Sequence, residues 1–577
     1  MRWNLPHPAA EEIHALGAEL KVGAPAAQVL WNRGYRAPAA ARTFLEAPIV
    51  GMHDPWLLKD MDKAVERLLA AIRAKQPILL YGDYDVDGTS SVVILKKAIE
   101  IAGGVASFHV PHRLLEGYGM RSDVVEEAAA RGVKLIVSVD TGIRAAEVVK
   151  HAVSVGIDVI ITDHHLPEGV LPPATAVLNP NRPDCTYPEK SLCGAGVALK
   201  LIHALLIRLE YPPERVRALL ESFLKMAAIA TVADVVPLTG ENRIIVKRGL
   251  AGLHTVRNAG LRALLEVAGL TPGSTPSAGQ VAFRIAPRIN AAGRMATATD
   301  VIDLFTTDDP QRAKTLAAEL HRLNQERQEA EAEITRAILK LCEESPVTAD
   351  QYALVFSGAG WHRGVVGIVA SRIVERFHRP TIVLSEEDGE AQGSGRSIRP
   401  FHLLDALESM PDLFTRFGGH RQAVGLGLPI ERIQEFRERF NRYAAERLTP
   451  EDLIPTLDVD GVVRFAELND ESAAEVLSLA PFGFGNPTPV FAVRGAEVTS
   501  PADVFSEKHL KVRMRQSGRG FRITAWNFAE RAFEFEPGSV LDAAVTVVDD
   551  PYSAARGYPP WSLELKDVRS SRAGAGG

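Results

Sequence analysis

The sequence predicts an α/β protein of two α/β lobes joined by a long helix and followed by a small all-β barrel. Short apolar runs alternate with helix-period segments from about residue 61 to 180 and again from about 347 to 448, the pattern of mostly parallel sheets covered by helices. Between these blocks, residues 311 to 344 hold neither Gly nor Pro and are rich in Ala, Leu, Glu, Arg and Lys, as in one helix of about ten turns. Beyond Pro450 the pattern changes to short strands near 456–460, 490–498, 509–515, 521–527, 540–548 and 562–568, with a helix inserted at 467–479. Strands that short and that closely spaced fit an OB-like barrel.

At 577 residues the chain is too long for one core, and about three or four domains are expected. A content of 46% hydrophobic and 24% charged residues is that of a globular protein. The net charge of −7 gives no global sign of a nucleic-acid partner, so any such binding falls to local patches. Cys185, Cys193 and Cys342 fit neither a metal clip nor a disulfide framework and read as reduced thiols. The first residues lack an apolar signal core, and no window approaches the ~18 apolar residues of a membrane span. A cytoplasmic protein with no membrane association is expected.

Amphipathic segments at 9–20 and 26–33 form a helical leader, and a helix from Met61 to Lys75 leads into the first strand, 77–81. Behind that strand stands Gly82-Asp83-Tyr84-Asp85-Val86-Asp87-Gly88, followed by a helix from Thr89 to Ala102. Three carboxylates in five residues repel by several kcal/mol, since two charges ~4 Å apart interact by about 4 kcal/mol at an effective dielectric of 20. The loop therefore calls for a cation. A second strand, 134–139, delivers Asp140-Thr141-Gly142, and a third, 158–162, delivers Asp163-His164-His165. Ligands bind at the carboxyl ends of strands in open α/β sheets, and carboxylate with imidazole suits first-row divalent metals.

Between a strand at 105–110 and a helix at 122–130 lies the loop Pro111 to Gly119, whose Arg113 could clamp a phosphate. Helices at 194–209 and 214–231 follow, the second running into Ala233-Asp234. Farther on, Phe283-Arg284 and Arg288-Ile289-Asn290-Ala291-Ala292-Gly293-Arg294 gather arginines and Asn290 around what reads as a tight Gly turn. Guanidinium forks there would suit a terminal phosphate.

The series Asp83-x-Asp85-x-Asp87, Asp140-Thr-Gly, Asp163-His164-His165 and Ala233-Asp234 resembles the motifs of the DHH phosphoesterase superfamily. Five further strings continue the resemblance: 230–238 (ATVADVVPL), 288–294 (RINAAGR), 360–368 (GWHRGVVGI), 393–397 (GSGRS) and 418–423 (GGHRQA). With them the chain, from about 78 to 426, is similar to the bacterial single-strand-specific 5′→3′ DNA exonucleases. The resemblance implies a leader at 1–48 packed on the catalytic domain, a DHH domain at 49–308 and a connecting helix at 309–345. A DHHA1 domain at 346–449 and an OB-like nucleic-acid-binding domain at 450–577 complete it.

It implies two divalent ions, Mn²⁺ or Mg²⁺, held by Asp83, Asp85, Asp87, Asp140, His164, His165 and Asp234, with Asp163 orienting the imidazoles. In the second lobe, Gly-rich loops would bring Ser394, Arg396, Ser397, Gly419 and His420 to the terminal nucleotide. The implied reaction is hydrolysis of single-stranded DNA to mononucleotides in repair and recombination. A monomer working with a single-strand-binding protein and a RecQ-type helicase is the implied assembly. Oligoribonucleases and cyclic-dinucleotide phosphodiesterases of the superfamily are the nearest alternative, but they end after the second lobe, so residues 455–570 argue against them. A DNA-binding relative with a decayed site is excluded, because every acidic and His position is present.

In the C-terminal domain, Lys508, Lys511, Arg513, Arg515, Arg519 and Arg522 fall in one hairpin with no acid. Alternation puts Lys511, Arg513 and Arg515 on one face, with Leu510, Val512 and Met514 on the other. Phe521 and Trp526 would supply stacking platforms for unpaired bases. The domain is expected to capture the strand at a distance from the chemistry.

Overall fold

The computed structural model describes residues 1–571 except Pro8, Leu114 and Pro272. Its first sheet holds five parallel strands in the order Ala106–His109, Ile78–Tyr81, Leu135–Val139, Asp158–Thr162, Ala176–Leu178. Successive side chains alternate between faces. Leu80, Val137 and Ile160 enter one apolar core and Leu79, Ile136 and Ile161 the other, so helices cover both faces. The strand order reverses between Ile78–Tyr81 and Leu135–Val139, which opens the ligand crevice of a doubly wound sheet directly above Asp83–Asp87 and Asp140.

The helix after the first carboxylate loop starts earlier than periodicity indicates, spanning Val86–Ile101. Asp85 Oδ1 caps it by accepting from the N–H groups of Asp87 and Gly88 at 2.9 and 3.0 Å. Asp87 thus sits in the first helical turn. The arginine segment also differs from the expected turn, because residues 286–295 form the helix Ala286–Met295. Gly293 serves close approach there, since a Cβ would lie 2.5 Å from the Tyr84 carbonyl oxygen.

Helix Pro310–Glu344 joins the lobes over 35 residues, about 52 Å at 1.5 Å per residue. Asp309 caps it and Pro310 opens it. Its first half buries Ala313, Ala317 and Leu320 in the first lobe, and its second half buries Ile334 and Ile338 against helix Val366–Phe377 of the second.

The second sheet is mixed. Leu354–Ala359 and Thr381–Glu387 are parallel, while Glu390–Arg396, Ala423–Pro429 and Arg416–Gly419 add antiparallel. The Gly-rich stretches expected as loops are strands here: Ser394 and Arg396 lie in Glu390–Arg396, paired on both sides, and Gly419 ends Arg416–Gly419. Glycine's low strand propensity hides such segments in a sequence, and pairing with two neighbours overrides it.

The C-terminal sheet closes into a barrel. Phe491–Phe505, His509–Gln516, Arg519–Ala525, Trp561–Ser570 and Val540–Asp549 pair in that order, and the last pairs back to the first. The N-terminal helices, Ala10–Leu20, Ala24–Asn32 and Pro38–Glu46, bury Leu16, Val29, Leu30 and Phe44 in the barrel's core. Their packing partner is therefore the barrel, and the catalytic lobe reaches them through polar contacts such as Arg243 Nε on the Phe44 carbonyl. Loose apolar periodicity shows that a helix needs a partner without saying which. Among the described residues no helix is long and apolar enough to cross a membrane.

Candidate active site

The strand ends converge. Asp140 Oδ1 lies 3.1 Å from His164 Nε2, with Asp87 Oδ2 at 3.7 Å and Asp234 Oδ2 at 3.9 Å from the same nitrogen. Three sets of ligand atoms, each mutually within 4.8 Å, share members: Asp83/Asp85/Asp140, Asp87/His164/Asp234 and Asp140/His164/His165. Asp140 joins the first set to the third, and His164 the third to the second, so two adjacent cation positions are outlined. Asp140 itself has φ +58, a left-handed conformation that Asp tolerates better than most residues.

The carboxylates are held from beneath. Asp87 accepts from the Gly194 and Ala195 N–H groups at 2.5 and 2.8 Å, at the start of helix Gly194–Arg208. Asp163 Oδ1 accepts from the His164 and His165 N–H groups and meets His165 Nδ1 at 2.7 Å, while its Oδ2 accepts from Ile143 N at 2.9 Å. Its oxygens are thus taken up within the fold, and with Nδ1 on Asp163 it is Nε2 that His165 can offer a cation. The Tyr118 hydroxyl lies 3.4 Å from His165 Nδ1 and 3.5 Å from the Asp140 carbonyl.

Burial pushes Asp83, Asp87 and Asp140 above the usual carboxylate range, and neighbouring carboxylates add to it. Asp234 is pushed up to about 9, by burial first and then by Asp87 and Asp85. Asp83 Oδ1 and Asp140 Oδ1 are buried with no hydrogen-bond partner. Unpaired carboxylate oxygens facing one another beside an imidazole are what divalent cations would satisfy.

Without metal the folded protein keeps protons on Asp234 that the unfolded chain releases above about pH 4, so stability falls as pH rises from about 4 towards 9. In EDTA the melting temperature should drop between pH 5.5 and 8.5. Mn²⁺ should raise it most at the alkaline end, where the ligands are free of protons. Asp234→Asn should flatten the EDTA curve; an unchanged slope would remove Asp234 as its source.

A cationic cluster faces the acids. Arg294 is half-buried and pushed down to about 10, by burial first and then by Arg113, Arg396 and Arg327. Its Nη1 donates to the Gly364 carbonyl at 2.9 Å, which ties the first lobe to the second. Arg113 stacks over the Tyr84 ring at 5.1 Å. Its loop neighbour Leu114 lies outside the described residues. Burial and the charges of Arg396, His402 and His165 lower His420, which puts its ring near both clusters. Grouped guanidiniums next to carboxylates leave a place for an anion between them.

Other candidates have other partners. Arg288 meets His321 Nδ1 at 3.2 Å and the Arg284 carbonyl. Six residues along a helix put it about 120° around the axis from Arg294. Asn290 Oδ1 accepts from Val86 N at 3.1 Å, which fixes the start of the carboxylate helix. Ser397 Oγ donates to the Phe401 carbonyl.

On the barrel, Lys511, Arg513 and Arg515 alternate with buried Leu510, Val512 and Met514. Arg515 pairs with Glu497 at 3.0 Å, a contact the hairpin's own composition hides. Phe521 is half-buried. It pairs across from Met514 on the inner face and packs against Phe465 and Trp561. Trp526 is outside, 47% exposed, and gathers His509 and Phe505 at ring distances of 4.9 and 5.9 Å. Phe505 and His509 beside Trp526, and Tyr118 beside His165, have no motif to mark them; only Tyr118 carries a local signal, its flanking glycines.

The barrel domain is not remote from the chemistry either. Its Phe484 carbonyl accepts from Leu238 N at 2.7 Å, four residues beyond Asp234.

A doubly wound sheet with Asp and His at its strand ends, facing a mixed second sheet, defines a DHH-type phosphoesterase. Residues 77–231 match the DHH family N-terminal domain, 350–446 the DHHA1 domain and 459–557 the RecJ OB domain. The chain belongs to the RecJ family. It is 39% identical over 542 residues to the single-stranded-DNA-specific exonuclease RecJ of Bacillus subtilis, covering 93% of this chain and 67% of that one. To the Escherichia coli RecJ it is 40% identical over 491 residues, covering 82% and 84%. The crystal structure of Thermus thermophilus RecJ with Mn²⁺ superposes with a TM-score of 0.84 at 33% identity, covering 99% of this chain and 80% of that one. The Mg²⁺ complex from the same organism gives 0.76 at 31% identity.

Proposed function

We propose that this chain is a metal-dependent exonuclease that hydrolyses single-stranded DNA from the 5′ end to mononucleotides, in repair and recombination. The observation that carries the reading is the three linked ligand sets beside the half-buried cluster of Arg113, Arg294 and Arg396. Asp83, Asp85 and Asp140 would hold one divalent ion and Asp87, His164 and Asp234 a second, with His165 next to Asp140. Relatives solved with Mn²⁺ and with Mg²⁺ support either metal. Bound there, two ions supply an acidified water and charge neutralisation at the scissile phosphate.

The protein's own groups do the rest. Asp163 fixes the tautomer and direction of His165, as a carboxylate behind a ligating imidazole does. Arg294 and Arg396, with His420, would hold a terminal phosphate across the two lobes, so the strand enters end first. Asn290 and the Gly194 and Ala195 amides keep the carboxylates in register. All of these groups come from one chain, in keeping with a monomer. The need for an exposed 5′ strand fits supply by a RecQ-type helicase and a single-strand-binding protein in the cytoplasm.

The test is digestion of singly end-labelled single- and double-stranded DNA and RNA with Mn²⁺ or Mg²⁺. A 5′ label on single-stranded DNA should appear at once as mononucleotide, and a 3′ label should shorten progressively. Internal cuts at the earliest times, or faster loss of RNA or of a cyclic dinucleotide, would overturn the reading. Binding should also depend on the barrel. Each phosphate neutralised on a single strand contributes ~0.7 to the slope of log affinity against log salt, so changing Lys511, Arg513 and Arg515 together to Ser should flatten it by about 2 units. No change in slope would take the strip out of the binding path.

A further inference from the structure

Asp234 closes the second Asp/His set, yet it stands at the end of helix Pro213–Ala233 with little to fix it. The next residue, Val235, has φ +57 and is 64% exposed. A β-branched residue rarely adopts that left-handed conformation, so something beyond its own preference must hold it. The chain then turns through Pro237 to Leu238, which is buried. Leu238 N donates to Phe484 O at 2.7 Å.

Phe484 sits at the tip of a tight turn in the C-terminal domain. Gly483 and Asn486 close it with paired backbone hydrogen bonds of 2.8 and 3.1 Å. Asn486, almost fully buried, donates from Nδ2 to the Leu479 and Pro481 carbonyls and accepts from Arg33 at Oδ1. Arg243 of the catalytic lobe, in helix Gly240–Gly252, donates to the Leu479 and Ala480 carbonyls at 2.9 Å each. The turn is therefore anchored at its base from both the leader and the catalytic lobe. Its tip meets the Asp234 segment at van der Waals range: Gly485 has φ +74, and a Cβ there would come 2.9 Å from Pro237 Cβ, while one on Gly483 would come 2.7 Å from Leu238 Cδ1.

From this geometry we infer that the turn Gly483–Asn486 is a positioning element for the metal centre. Through the Phe484 carbonyl and the bare backbone of Gly485 it holds residues 235–238 in the strained path that points Asp234 at Asp87 and His164. The C-terminal domain thereby acts on the chemistry as well as on the strand. The inference rests on the two-ion reading and deepens it, since it assigns the turn to one ion only.

The experiment is a Mn²⁺ titration of the full-length chain, read by the electron paramagnetic resonance of free Mn²⁺. Wild type should bind two ions. Gly485→Ala and Asn486→Ala should each keep one at wild-type affinity and weaken the other about 10- to 100-fold, the effect typical of lost outer-shell support. Asp234→Asn should weaken the same ion. Turnover by the two turn variants should recover as Mn²⁺ is raised through the new dissociation constant, which a general loss of folding would not allow. Phe484→Ser keeps the carbonyl and should bind both ions as wild type does.

Wild-type affinities in both turn variants would overturn the inference, as would equal weakening of both ions without recovery of turnover. If Gly485→Ala does not fold, Asn486→Ala, which adds no atoms, decides the matter. Wild type binding fewer than two ions would instead overturn the two-ion reading.

Discussion

Asp140→Asn should abolish turnover, by at least about 10³-fold, and at the same time raise the melting temperature measured in EDTA. The loss follows from removing a carboxylate of the first proposed ion set that also belongs to the linking set Asp140/His164/His165, because charge-stabilising groups at a phosphoryl centre are each worth about 10²–10³-fold or more. The gain follows from the same geometry. Asp140 is buried among Asp83, Asp85, Asp87 and Asp234, and each of them pushes its carboxyl upward. A neutral isostere can be buried there without taking up a proton or a cation, so folding without metal costs less, the usual trade of stability for function at an active site. Binding of a long oligonucleotide should be preserved, since the strand contacts proposed above lie on the barrel's cationic strip. Kinetics, thermal melting and salt-dependent binding together check the three statements. An active Asp140→Asn protein in Mn²⁺ would end the two-ion proposal, and an unstable one in EDTA would mean the carboxylate has a structural partner.

Closed circular single-stranded DNA should resist digestion completely under conditions in which the linear form of the same sequence is consumed. The cationic cluster of Arg113, Arg294 and Arg396 lies against the acids and joins the two lobes through Arg294 and Gly364, so a strand without an end has no terminal phosphate to seat there. On linear DNA, Arg396→Ala should lower kcat/KM for a 5′-phosphorylated substrate by about 10- to 100-fold. That corresponds to about 1.5–3 kcal/mol for hydrogen bonds to a charged group. It should matter much less on the same strand with a 5′-hydroxyl. Efficient cutting of circles would reveal an endonuclease, and equal losses on both linear substrates would show that Arg396 supports the lobe rather than the phosphate.

The C-terminal domain needs different experiments from those its sequence suggests. Deleting residues 455–577 cannot separate strand capture from catalysis, because the deletion also removes the turn that contacts Leu238 and the core that the N-terminal helices occupy. Point changes on the outer face of His509–Gln516 avoid both.

By itself the sequence determined the parts whose cause is local. An apolar run of four or five residues followed within two residues by Asp becomes a buried strand with a carboxylate at its end, so Asp83, Asp85, Asp140 and the Asp163-His164-His165 string were legible as a site. Helix Pro310–Glu344 was legible because nothing in it interrupts a helix. Tertiary structure decided what depends on partners far along the chain. Helical register, once Ala286–Met295 forms, separates Arg294 from Arg288, and only the lobe interface turns Arg294 toward Gly364. Pairing on both sides makes a strand of the Gly-rich segment around Ser394 and Arg396, and barrel closure packs Phe521 against Phe465 and Trp561 while leaving Trp526 out. The leader's apolar face meets a core more than 400 residues away, and Leu238, four residues beyond Asp234, donates to a carbonyl from position 484. Periodicity and turn chemistry act over a few residues, whereas which surfaces meet is settled only when the domains close on one another, so those contacts leave no local signature to read.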